Sequence, residues 1–265
     1  MPPRTIENGF DLGEAIKSRR IELNLTIEGA ASKAGIGTKT WSRYESGESI
    51  RSDKVSGLCR ALRWKSLPHV GSINSKLKAD FEKEKKSEVW SPYLANHFGK
   101  YAAMSFVIGS DILLDEINED LEALSEMPRS SHIGELTTSV VSSIMPQQFL
   151  TRYDYEFMWV LRQALIRYRK IAPHTNKMVA HSVLDELVLY LIMEESRFLM
   201  EEIQLNYESD DDKDEFFHWD EWVHDICDDM DLVTFLYSDL FLLSPEDAYH
   251  FENWQKQQFF VPEEN

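Results

Sequence analysis

Four polar side chains fall on one face of a short helix that the sequence predicts from Thr38 to Ser46. They are two hydroxyls and two cations: Thr38, Lys39, Ser42 and Arg43. A short helix that is held at a fixed angle and is free on one face can enter the major groove of DNA. These residue types at this spacing therefore favour hydrogen bonding and charge pairing with a nucleic acid.

The elements that must hold this helix are visible on either side of it. Gly35-Ile36-Gly37 predicts a tight turn before the helix, and Gly47 predicts its end. The preceding helix carries three small residues that allow close approach: Ala30, Ala31 and Ala34. Helix, glycine-containing turn and second helix form a helix-turn-helix arrangement, in which Trp41 and Tyr44 are expected to face the core.

Two further helices complete a four-helix module. Asp11 and Glu14 have the spacing of a capping box, which predicts a first helix that starts at Asp11. Thr26 is expected to cap the second helix, and a fourth is expected from about Asp53 to Leu62.

Residues 12–64 resemble the lambda-repressor-like helix-turn-helix family, also called the Cro/repressor or xenobiotic-response-element type. The matching positions are Leu12-Gly13, Ile16-Lys17, Arg19-Arg20, Leu25-Thr26, Ala30-Ala31, Ala34-Gly35-Ile36, Thr40-Trp41-Ser42-Arg43-Tyr44-Glu45 and Gly47. From Arg20 to Gly47 the spacing fits without a gap. The chain departs from the family pattern at Ile27, Gly29 and Trp41.

The resemblance implies roles for the outer face of the third helix. In this family the start and outer face of that helix read base edges, which assigns Thr38, Lys39, Ser42 and Arg43 to the major groove. The donors of Lys39 and Arg43 suit guanine O6 and N7, a contact that contributes roughly 1–3 kcal/mol of discrimination.

The module also carries cations outside that face. Contacts with DNA phosphates are expected from Lys17, Lys33 and Arg51, with a merely solvated position as the alternative. Phosphate contact and simple solvation are also the two alternatives for Arg19 and Lys54. The resemblance further pairs Arg20 with Glu45, and this pair is expected to fix the third helix rather than to contact bases.

The charge of the chain is divided unequally. Of 265 residues, the first 86 contain 17 Lys and Arg against 11 Asp and Glu, whereas residues 87–265 contain 11 against 35. This asymmetry predicts a DNA-binding domain at 1–68, a charged helical linker at 69–90 and an acidic all-helical regulatory or dimerisation domain at 91–265. The acidic domain is expected either to point away from DNA or to compete for the basic face.

The fold class is predicted to be all-α, because helical periodicity dominates and strand alternation is scarce. In the acidic region, helices are expected at about 100–126, 131–145, 146–171 and 174–205. The run from Leu187 to Met193 is apolar on all sides and predicts the central helix. The later aromatics are expected in the core or on a partner-binding face: Trp219, Trp222, Phe235, Tyr237, Phe241 and Trp254.

Two clusters have ligand types that suit a metal. A calcium loop could use Asp210, Asp212, Asp214 and Glu221, but Glu215 stands where such loops need Gly. A partial zinc site could use His218, His224, Cys227 and Asp228, but two further ligands are missing from the local sequence. No metal and no cofactor is therefore expected.

These observations predict a sequence-specific DNA-binding transcriptional regulator, in the first instance a repressor, and not an enzyme, since the nucleophile-elbow, zinc-protease and phosphate-loop motifs are absent. Double-stranded DNA and a second copy are the expected partners, with a protein or small-molecule effector at the acidic domain. Three alternatives stay open: an antitoxin-like autoregulator whose acidic domain neutralises a partner protein, a protein-binding module, and a metal-assisted enzyme using residues 210–228.

With two distant cysteines, no apolar signal segment and no membrane-length run, a cytoplasmic location is expected.

Overall fold

The computed structural model describes residues 5–6, 10–64, 67, 83–174, 177–205, 216, 218–227, 236–237 and 251–257. The fold is predominantly helical, which confirms the predicted class. Buried apolar side chains form two clusters, one drawn from residues 12–67 and one from residues 93–254. We refer to these parts as the N-terminal unit (5–67) and the helical unit (83–257).

The N-terminal unit contains four α-helices and a short antiparallel strand pair among its described residues. The helices are α1 (Phe10–Glu22), α2 (Ile27–Lys33), α3 (Thr38–Glu45) and α4 (Val55–Leu62), and a 3₁₀ turn at Ser52–Lys54 leads into α4. Strands β1 (Thr5–Ile6) and β2 (Ile50–Arg51) pair antiparallel.

Local sequence explains most of these boundaries. The side chain of Thr26 accepts a hydrogen bond from the Gly29 amide and caps α2, as expected. The capping-box prediction at Asp11 is wrong, because α1 already begins at Phe10 and Asp11 lies inside the first turn.

The helical unit is built around a closely packed pair of long helices. Its helices are α5 (Pro92–His97), α6 (Lys100–Ser125), α7 (Val141–Ile144), α8 (Tyr155–Ile171), α9 (Val183–Leu205) and α10 (Glu221–Ile226). A Cβ atom added at Gly109 of α6 would lie only 1.8 Å from the carbonyl oxygen of Ile192 in α9. Glycine therefore permits the close approach of the two backbones, and the apolar run in α9 is buried as predicted apart from the half-buried Tyr190.

Three predicted helices of this unit differ from the observed ones. The expected helix at 131–145 is replaced by a 3₁₀ turn at Ile133–Glu135 and the four-residue α7. The helix expected from Pro146 starts at Tyr155, since the carboxylate of Asp154 accepts a hydrogen bond from the Phe157 amide and caps a new helix there. The helix expected from 174 starts at Val183.

Some predicted features lie outside the described residues. They include residues 69–82 of the charged linker predicted at 69–90, and the acidic segment 206–215 with its calcium-loop carboxylates. Of the linker's remainder, only 83–84 is helical, and 85–89 are turns and bends. Among the described helices, none is long and apolar enough to cross a bilayer.

The two units contact each other directly. Phe198 of α9 packs against the apolar cluster of the N-terminal unit. The 3₁₀ turn at Ser52–Lys54 lies against α6. The acidic unit therefore lies directly against the N-terminal unit.

Candidate nucleic-acid interface

Helix α3 has one buried and one exposed face. Trp41 and Tyr44 are buried on the inner side, at 0% and 3% exposure. The four side chains predicted to read bases are all exposed on the outer side: Thr38, Lys39, Ser42 and Arg43. The hydroxyls and cations of α3 therefore face solvent, while the helix itself is anchored.

The turn between α2 and α3 depends on one glycine. Gly35 has a φ of +64°, in the left-handed region where a side chain is strained. A Cβ atom at this position would also lie 2.5 Å from the carbonyl oxygen of Thr138 and 2.8 Å from Cγ2 of Val140, both in the helical unit. The turn is thus fixed by backbone conformation and by contact with the other unit.

A second anchor joins α3 to α1. The Arg20 guanidinium donates to both carboxylate oxygens of Glu45, with Nε–Oε1 at 2.5 Å and Nη2–Oε2 at 3.2 Å. The side chains of this pair are only 11% and 9% exposed. Arg20 also donates through Nη1 to the Leu25 carbonyl oxygen at 3.0 Å, and its hydrogen bond with Glu45 raises the pKa of Arg20 above its usual value.

Helix α3 and its anchors lie within a part of the chain that matches a known family. Residues 11–65 match the family described as the helix-turn-helix domain. Residues 11–65 form a helix-turn-helix domain. Comparison of the whole chain with curated proteins and with solved structures gives no significant match. The family match covers α1 to α4 and leaves the helical unit unassigned.

Within the helix-turn-helix domain, Arg43 is held by a neighbouring carboxylate. Its Nε lies 2.6 Å from Oε2 of Glu48, beyond the end of α3, and its Nη2 lies 2.5 Å from the same oxygen. The hydrogen bond raises the pKa of Arg43 and lowers that of Glu48. Because both side chains are exposed, solvent screens the pair and a base edge can replace Glu48 at small cost.

The predicted phosphate-binding cations occupy different environments. Lys17 on α1 and Lys33 at the end of α2 are exposed. One donor of Arg19 is already used, since its Nε donates a hydrogen bond to the Leu62 carbonyl oxygen at 3.1 Å. These three side chains lie at the surface of the domain.

Arg51 and Lys54 are instead engaged by carboxylates. Arg51 forms a two-point contact with Asp53, at 3.0 Å and 2.6 Å, and its Nη2 lies 3.2 Å from Oε1 of Glu119 in α6. Lys54 binds the other oxygen of Glu119 and is only 6% exposed. Simple solvation, one of the two expectations for Lys54, does not match this buried position.

Beneath this contact lies a group of buried carboxyls at the junction of the two units. Glu116 and Asp120 of α6 and Glu195 of α9 are at most 5% exposed. Burial, with Glu195 nearby, raises the pKa of Glu116 well above its usual range, and burial raises that of Glu195 to about 7. Burial likewise raises the pKa of Asp120 to about 7, although Asp120 accepts a hydrogen bond of 2.7 Å from the Ser139 hydroxyl.

Among the described residues, no group of three His, Cys, Asp or Glu is arranged to hold an ion. Three of the four predicted calcium ligands lie outside these residues. His224 is exposed, whereas Cys227 is buried in the core, so the proposed zinc ligands face different environments.

Three of the predicted core aromatics are buried: Trp219, Trp222 and Trp254. The Trp222 indole donates a hydrogen bond to the Ser105 hydroxyl at 3.1 Å.

Sequence reasoning missed Glu48 and Glu119 as partners of the basic face. Glu48 had a local signal, since it is an acid five residues after Arg43 at the end of a short helix. Glu119 had none, because its partner Lys54 is 65 positions away along the chain. Only the packing of α6 against the helix-turn-helix domain reveals that contact.

Proposed function

We propose that this protein is a sequence-specific DNA-binding transcriptional regulator that inserts α3 into the major groove. The observation that carries the proposal is the division of α3 into an anchored inner face and an outer face of four exposed hydrogen-bonding side chains. Base readout requires such a helix, since donors must be presented at a fixed angle. The proposed activity is repression of transcription by binding to an operator. It includes no catalytic step.

We further propose that the regulator acts as a homodimer, since two half-sites double the number of base and phosphate contacts. Helix α8 offers a surface for this contact. Tyr155 and Trp159, one turn apart, are 41% and 46% exposed, and Ile166 lies farther along the same side. The exposed side chain of Glu156 lies near the start of this side of α8 and that of Lys170 near its end. Two α8 helices packed antiparallel would therefore bring opposite charges together.

The central experiment selects binding sites from random duplexes with the full-length protein and then measures affinity for the selected site and for a scrambled duplex. R43A and K39A are expected to weaken binding to the selected site by roughly 10- to 100-fold, as the loss of a base contact implies. K177A, which removes an exposed cation from the helical unit, is the matched control and should bind like wild type. No enrichment of any sequence over random DNA would overturn the proposed function.

A further inference from the structure

A cleft of about 500 Å³ lies beside α3, between the helix-turn-helix domain and the helical unit. On the domain side its wall includes Thr40 and Arg43 of α3 and the cations Arg51 and Lys54. On the opposite side it includes Glu119 of α6. The cleft therefore follows one edge of the helix that is proposed to read bases.

DNA phosphates must pass along this edge when α3 occupies a major groove, because the groove is bordered by the two sugar-phosphate backbones. Cations at the edge would be phosphate contacts, and a carboxylate there would repel the backbone. In the structure Glu119 occupies that position and binds Arg51 with one oxygen and Lys54 with the other. Its carboxylate thus offers these two cations the anionic oxygens that a phosphate group would offer.

The contact is supported by packing around it. Lys54 is buried, so phosphate cannot reach it while α6 stays in place. The turn at Gly35 abuts Thr138 and Val140, and Phe198 packs onto the domain's apolar cluster. Releasing both cations from Glu119 therefore requires α6 to move relative to the 3₁₀ turn at Ser52–Lys54. Their contacts with Asp53 lie within the N-terminal unit and would remain.

We propose that Glu119 is an autoinhibitory phosphate mimic that gates DNA binding by this domain. The inference rests on the proposed function and names its regulation: DNA competes with Glu119 for Arg51 and Lys54. A change in the helical unit that withdraws α6 adds these cations to the DNA-binding surface. The gate thus links the acidic unit, through Glu119, to two cations beside α3.

The test compares full-length E119Q with E122Q in duplex binding over a range of salt concentrations. Glu122 is an exposed carboxylate one turn farther along α6, so both variants remove one negative charge from the same helix. E119Q is expected to bind the selected duplex roughly 3- to 10-fold more tightly than wild type near 0.1 M salt. Its plot of log affinity against log salt should steepen by about 0.9 for each additional phosphate neutralised. E122Q should show less than about a twofold change, with an unaltered slope.

A second pair of variants distinguishes the gate from general electrostatics. If Glu119 occupies Arg51, R51Q should weaken DNA binding little in the wild-type background and about 10-fold in the E119Q background. Equal effects of R51Q in both backgrounds, or equal affinities of E119Q and E122Q, would overturn the gate and leave the proposed function standing. Failure of wild type and E119Q alike to bind any duplex specifically would overturn the proposed function and the gate with it.

Discussion

The indole N–H of Trp41 donates a hydrogen bond of 2.7 Å to Oε1 of Glu45, one turn farther along α3. The same oxygen accepts a hydrogen bond from Nε of Arg20 in α1. Trp41 stands at one of the positions where the sequence departs from the lambda-repressor-like pattern, and its larger side chain adds a second donor to the carboxylate. Glu45 thus fixes α3 both to its own preceding turn and to α1.

Replacement of Glu45 tests this anchor. E45Q retains the shape of the side chain but removes the charge that faces Arg20, which leaves a largely buried guanidinium without its counter-ion. We expect the free energy of unfolding to fall by about 1–2 kcal/mol, since hydrogen bonds to charged groups contribute on that scale. Chemical denaturation measures the change, and DNA affinity should fall because α3 is less firmly oriented.

The matched control is E48Q, which breaks the exposed pair with Arg43. Screened surface pairs contribute little, so E48Q should unfold like wild type. Equal stability of E45Q and E48Q would show that the Arg20–Glu45 pair does not anchor α3.

Gly35 and Gly37 provide a comparison within a single turn. G35A places a Cβ atom in left-handed backbone and against Thr138 and Val140, and we expect a loss of about 1–3 kcal/mol of stability. At Gly37 an added Cβ atom meets nothing within 4 Å and φ is −69°, so G37A should cost only a few tenths of a kcal/mol as a weaker N-cap. Thermal unfolding of both proteins checks the difference, and similar melting temperatures would contradict it.

The raised pKa of Asp120 predicts that the free energy of unfolding decreases as the pH rises. Burial raises its pKa from about 3.8 to about 7, so between these values the folded protein retains a proton that the unfolded chain has released. Raising the pH through this window therefore lowers the free energy of unfolding. The contribution of this one group is up to about 4 kcal/mol, since each pKa unit corresponds to about 1.4 kcal/mol.

The measurement compares D120N with wild type by denaturation at intervals from pH 4 to pH 8. The Asn side chain can still accept the hydrogen bond from Ser139 but cannot ionise, so the difference in stability between variant and wild type should grow in favour of D120N as the pH rises to 7. E122Q, at an exposed position, should run parallel to wild type. A constant difference between D120N and wild type would show that Asp120 is ionised throughout the range.

The α8 surface predicts the oligomeric state. W159E should convert a dimer into a monomer in light scattering coupled to gel filtration, because it places charge at the centre of an apolar contact. The control I21E introduces the same charge at another exposed apolar residue, which is 56% exposed, and should leave the dimer intact.

Charge reversal tests the antiparallel orientation of the same contact. E156K and K170E should each weaken the dimer by opposing like charges, and the double variant E156K/K170E should restore it. A wild-type monomer, or dimers of W159E, would contradict the proposed surface.

The local elements of the helix-turn-helix domain could be predicted because each has a sequence signal: Thr26 as a cap, Gly35 at the turn, and the alternation of buried and exposed positions in α3. The helical unit was harder to predict. Asp154 caps α8 in the middle of a stretch whose apolar periodicity continues without a break. Glu116, Glu119 and Asp120 look like the solvated face of a long helix, and only its docking against the other unit shows that two are buried and one binds Arg51 and Lys54.

The contact between Gly35 and residues 138–140 also limits how the protein can be re-engineered. A foreign recognition module grafted in place of residues 11–65 would need glycine at the corresponding turn and a compatible backbone path around it. A module with any larger residue there would collide with the loop before α7. New DNA specificity is therefore better introduced by exchanging side chains on the outer face of α3 than by exchanging whole domains.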